Sequence, residues 1–169
     1  QARLFSEPAL IQRAWEVIDA QAELALSSEA FTEIDFDTLL SILSRESLNC
    51  KETVVFTAAV NWAKAECSRK RPDLDPEAVE DKRKVLGRAM NKIRFPAMSI
   101  TDFADTVATS GILNLQETND LFLHFTAKQK PSVEYDFKPR RGLDIQSCGR
   151  FRSSAYRSNQ WRYRGRTDA

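Results

Sequence analysis

The chain has 169 residues, a formal net charge of +1, 42% hydrophobic residues and 29% charged ones. That is one or two domains' worth of chain with enough apolar content for a buried core, and no run approaches the ~18 apolar residues of a membrane span. Three cysteines without CxxC spacing and a single histidine exclude a zinc site with ordinary ligand spacing, and five glycines form neither a GxxxxGK[ST] nor a GxGxxG phosphate loop.

Residues 1–127 read as helix after helix. Ser6 followed by Pro8 marks a start, because serine caps and proline fits the first turn. Ile11, Ala14, Ile18, Ala22 and Ala25 then recur every three or four residues, which predicts one long helix with an apolar stripe. A second helix is predicted from Asp35, with Phe36, Leu39, Leu40 and Leu43 as its stripe. Asn49 opens "NCKE", with Glu52 at the capping-box position. Val55, Ala58, Ala59, Trp62 and Ala63 line one side of the helix that follows. After a loop across 69–75, Asp75 and Pro76 predict a fourth helix carrying Val85, Leu86, Ala89, Met90 and Ile93, which Pro96 ends. "SITD" at 99–102 and "NLQE" at 114–117 are two more capping-box starts, with Gly111 as the stop between them. Six helices joined by short loops predict a mainly α bundle of antiparallel neighbours.

No catalytic constellation emerges from this pattern. His124 stands alone in "LFLHFT", without a nucleophile that it could serve as a base, and reads as a partly buried structural residue. Cys50 falls in the first turn of a predicted helix, where the dipole would lower its pKa; an ordinary packing role is favoured over a reactive one. Cys67, Trp15 and Trp62 read as core. The expectation is a non-enzyme with no cofactor and no metal. Free thiols and the lack of a basic-then-apolar leader predict an intracellular protein, cytoplasmic and also nuclear, and a start without Met reads as a piece of a longer chain.

After residue 128 the texture changes. Residues 1–127 hold 14 Lys/Arg and 20 Asp/Glu, net −6, whereas residues 128–169 hold 11 and 4, net +7. Two prolines and a glycine make the next stretch a linker, with a short extended piece around Val133 to Phe137. In "WRYRGR", Trp161, Tyr163 and Gly165 share one parity and Arg162, Arg164 and Arg166 the other. Period two is the signature of a strand with one face buried. The competing reading is a basic arm whose aromatic rings stack on nucleic-acid bases. The clean alternation favours the strand, and with it a protein that does not bind nucleic acid.

"SRESLNCKETVVFTAAVNWAKAEC" (44–67) resembles the core of the BACK domain, and "CGRFRSSAYRSNQWRYRGRTD" resembles the opening of the PHR module, a β-sandwich. Together with the flanking helices they make the chain similar to the BTB–BACK–PHR proteins. The resemblance implies a BACK-like helical domain over 1–127, a linker over 128–147 and the start of a truncated PHR-like sandwich over 148–169. It also implies a spacer in a substrate adaptor for a cullin-3 ubiquitin ligase. A BTB domain outside this chain would form the homodimer and bind the cullin, aided by residues within 1–45, and the PHR module would recruit a protein substrate. The partner-binding residues implied are Leu4, Phe5 and Ile11 on the cullin side and Trp161 and Tyr163 on the substrate side. No membrane contact is implied.

Overall fold

The computed structural model describes residues 7–70 and 73–142. Among these residues there are helices and turns and no strand, as the helical patterning predicts. The α-helices are α1 (Glu7–Ala20), α2 (Ala22–Ser27), α3 (Phe36–Leu43), α4 (Glu52–Lys70), α5 (Val79–Leu86), α6 (Ile100–Asp102) and α7 (Leu115–Thr126). Short 3-10 turns at Glu29–Glu33, Gly87–Lys92, Phe95–Ala97 and Ala108–Ser110, and a π turn at Phe103–Val107, join or extend them.

Several helix ends are fixed by the caps the sequence predicts. Asp35 accepts the Thr38 backbone N–H at 2.8 Å, and Ser99 accepts that of Asp102 at 3.0 Å. Asn114 and Glu117 close a complete capping box, each side chain taking the other's backbone N–H at 2.8 Å. Gly111 stops the preceding helical stretch at φ 69°, a left-handed conformation that costs glycine little.

Three predicted starts and stripes differ. The first helix is divided at Gln21, and its inward face is Trp15, Ile18, Asp19, Ala22 and Leu26; Ile11 and Ala14 are exposed. Asn49 does not cap α4, which begins at Glu52, because the Glu52 carboxylate is buried in an ion pair instead of reaching back to a helix end. Asp75 closes a turn, accepting the Glu77 N–H at 2.9 Å, and α5 starts four residues later at Val79. The helix then yields at Gly87 (φ 44°) to a 3-10 turn, so Ala89, Met90 and Ile93 reach the core from that tighter turn and its end.

α4 is the centre. Val55, Phe56, Ala59, Trp62, Ala63 and Cys67 are buried along it, and α2, α5 and the π turn pack around it. Trp62 is 1% exposed, lies 6.0 Å from the Phe36 ring, and donates its indole N–H to the Ile34 carbonyl at 2.8 Å. A second aromatic group, Phe103 with Phe122 and Phe125, ties the π turn to α7. Residues 128–142, expected as a linker, lie as a strap on the bundle. Tyr135 is buried edge-on against Phe95, with ring centroids 4.8 Å apart, and no extended strand forms around Val133 to Phe137.

Candidate functional site

Between α3 and α4 runs the loop 44–51. It contains no helix, and its backbone groups need partners from elsewhere in the fold. Leu48 is 1% exposed and pins the loop to the core. Around that anchor the loop collects polar bonds from both ends of the described chain.

The first set comes from α1. Asp19, 2% exposed, receives Arg45 Nε at 2.7 Å and Nη2 at 2.5 Å, and the Ser47 hydroxyl at 2.6 Å. The Asp19 carbonyl accepts the Asn49 N–H at 3.0 Å. Arg45 also lies 4.6 Å from the centre of the Trp15 ring, a cation–π contact back to the same helix. Burial of Asp19 acts to raise its pKa. The Arg45 and Ser47 hydrogen bonds and the Arg45 charge outweigh that and hold the carboxyl below its ordinary value.

The second set comes from the strap. The Arg140 side chain is 2% exposed and its partner Glu52 7%. It donates to Glu52 Oε1 at 2.5 Å and to the carbonyls of Leu43 at 2.9 Å, Arg45 at 2.5 Å and Lys92 at 3.0 Å. Only a guanidinium has enough fixed donors for that many acceptors. Next to it, the Arg141 N–H donates to the Glu46 carbonyl at 2.9 Å. Arg94, 5% exposed, pairs with the Glu46 carboxylate and donates to the Lys138 carbonyl at 2.9 Å, while its own N–H reaches Glu52 Oε2 at 3.2 Å. The incoming helix and the outgoing strap therefore end on one eight-residue loop.

Outside the junction, α1 and α2 present an apolar surface. Leu10, Val17 and Leu24, at seven-residue spacing, are 63%, 59% and 72% exposed, and Ile11 is 56% exposed beside them. Leu10, Ile11 and Val17 lie on α1 and Leu24 on α2, beyond the break at Gln21, and each leaves a large apolar side chain open to solvent. The structure places Ile11 there. Leu4, Phe5, Trp161 and Tyr163 lie outside the described residues, as does the predicted strand around them.

The remaining candidates carry no chemistry. Cys50 precedes α4 instead of sitting in its first turn, and burial, reinforced by the Glu52 charge, pushes its thiol up to about 11. That reverses the lowering expected from a helix dipole and leaves a protonated, inert thiol. Cys67 is buried in the core, as expected. His124 is half-buried, edge-on to Phe125; its Nδ1 is buried without a hydrogen-bond partner, and burial lowers its pKa. Among the described residues no group of three or more His, Cys, Asp or Glu could hold a metal ion, and no helix is long and apolar enough to cross a membrane.

The periodic reading missed Asp19, Arg94 and Arg140. For the first two a signal existed: Asp19 stands between Ile18 and Ala22 on an inward face, and Arg94 between Ile93 and Phe95. A charge inside an apolar run is buried only when paired. Arg140, in "KPRRG", has no such flag.

Residues 1–108 match the sequence profile of BACK, "BTB And C-terminal Kelch". All 169 residues align at 60% identity with BTB/POZ domain-containing protein 3 of Mus musculus and of Homo sapiens, covering 31% and 32% of those proteins. BTB/POZ domain-containing protein 6-B of Danio rerio is 57% identical over the whole chain, which covers 34% of it. The chain thus spans about a third of the length of the curated relatives it matches. No solved structure matches it.

Proposed function

The chain belongs to the BACK family, and from that premise we propose that it is the non-catalytic spacer of a substrate adaptor for a cullin-3 ubiquitin ligase. A BTB domain preceding the bundle forms the homodimer and engages the cullin. A PHR-like module beginning near residue 148 recruits the substrate, with Trp161 and Tyr163 in its first strand. The adaptor works in the cytoplasm and nucleus. The names of the relatives, BTB/POZ domain-containing proteins, support the BTB domain of this reading.

One observation carries the spacer reading: the helix that enters the bundle and the strap that leaves it are both bonded to the loop 44–51. A spacer must hold its two ends at a set separation, because ubiquitin transfer depends on the effective concentration of the target near the ligase. Flexible attachment at either end would dilute that concentration. The exposed Leu10, Ile11 and Val17 side chains support a docking role for α1 toward the BTB–cullin side.

Two measurements test the proposal. Spin labels placed on the BTB and PHR modules of the full-length protein are expected to give a narrow distance distribution; a spread over all separations overturns the spacer. Cullin-3 capture by the full-length protein is expected to weaken with Ile11→Glu plus Val17→Glu. Undiminished capture removes α1 from the cullin side.

A further inference from the structure

The Asp19 and Arg140 anchors share atoms of one loop residue. The Arg45 side chain holds Asp19 in α1, while the Arg45 carbonyl receives Arg140 of the strap at 2.5 Å. The neighbours repeat the arrangement. Glu46 accepts the Arg141 N–H through its carbonyl, Ser47 donates to Asp19, and Asn49 donates its N–H to the Asp19 carbonyl. At Gly142 (φ 65°) an added Cβ would stand 3.7 Å from Asn49 Oδ1, so the strap passes directly beside the α1 anchor. Arg45 thus ties α1 through its side chain and the strap through the backbone that carries that side chain.

We infer that the loop 44–51 is a mechanical relay that couples the seating of α1 to the seating of the strap. Asp19 acts as a positioning residue for a chain segment more than 110 residues downstream. A partner that draws α1 away from the bundle loosens residues 138–142, and a partner that pulls on the strap loosens the end of α1. Linkage requires the two effects to be equal in size. The coupling is a property of the bundle and does not depend on which modules flank it.

Residue-resolved hydrogen exchange on the full chain tests the relay. Asp19→Asn keeps the side-chain shape and removes the charge that holds Arg45. It is expected to accelerate exchange of the Asn49 amide and also of the Arg141 amide, by about fivefold or more. Arg140→Lys keeps a charge for Glu52 but cannot reach the three carbonyls, and is expected to accelerate the Asn49 amide in return. The Thr118 amide, bonded to the Asn114 carbonyl in α7, is expected to keep its wild-type rate in both variants and so report an intact bundle. Acceleration of Asn49 by Asp19→Asn with Arg141 unchanged overturns the relay and leaves two independent anchors. If the Thr118 amide also accelerates, Ser47→Ala takes the place of Asp19→Asn. It removes one bond to Asp19 and keeps the Arg45 pair, and the same two amides decide the matter.

Discussion

The Arg140–Glu52 pair sets the largest single-residue effect. Both side chains are almost fully buried, so removal of one leaves the other charged and without its main partner. Arg140→Ala is expected to cost about 3–5 kcal/mol, read from urea unfolding, whereas an exposed pair such as Arg88–Asp37 contributes about 0–1 kcal/mol. His124 gives a pH-dependent effect. Its Nδ1 is buried and unbonded, and burial holds its folded pKa below the ordinary 6.5. The folded state therefore favours neutral imidazole. This contribution to stability is complete above pH 6.5 and declines as the pH falls toward the folded pKa. His124→Leu is expected to flatten that part of the stability–pH curve, as measured by thermal unfolding between pH 5 and pH 7.

At the scale of elements, α7 depends on its own cap. Asn114→Ala removes the acceptor for the Glu117 N–H and is expected to destabilise by about 1 kcal/mol, measured by urea unfolding. Glu117 is also gripped by Arg83 at 2.7 and 2.8 Å, so the cap joins α5 to α7 as well as ending a helix. The exposed apolar residues on α1 and α2 behave differently. Leu24 is 72% exposed, and Leu24→Glu is expected to change bundle stability by no more than about 0.5 kcal/mol. A larger loss would show that Leu24 is covered within the fold and has no place in a docking face.

For the whole molecule, the matter is where the folded unit ends. The family profile covers residues 1–108, yet Tyr135 covers Phe95 and Arg140 pairs with Glu52 at the buried start of α4. A chain cut after residue 127 is expected to unfold at a lower temperature than one cut after residue 142, because it exposes Phe95 and strands a buried carboxylate. Acid acts on the same junction. Asp19 and Glu46 are both held below their ordinary pKa by their arginine partners, Asp19 against its own burial. The stability they contribute is present above pH 4–5 and is lost as the pH falls through their lowered values.

Helical composition, the caps at Asp35, Ser99 and Asn114, the stop at Gly111 and the core position of Trp62 were all legible in the sequence. Each depends on groups within about four residues, or on a side chain too large and apolar to stay outside. The role of Glu52 was not legible, because the spacing that marks a capping box is the same when the carboxylate turns inward to an arginine 88 residues away. The face of α1 was legible in part: Trp15, Ile18 and Ala22 turn inward as read, whereas Ile11 and Ala14 are exposed and Asp19, tethered to Arg45, takes an inward place that apolar periodicity does not give it. The strap has the polar, proline-bearing composition of a linker, and its attachment rests on partners far along the chain: Arg140 on Glu52 and on carbonyls of the loop 44–51 region and of Lys92, the Arg141 N–H on Glu46, and Tyr135 on Phe95. Local bonding was set by the sequence alone, and pairing between distant charges waited for the fold to bring them together.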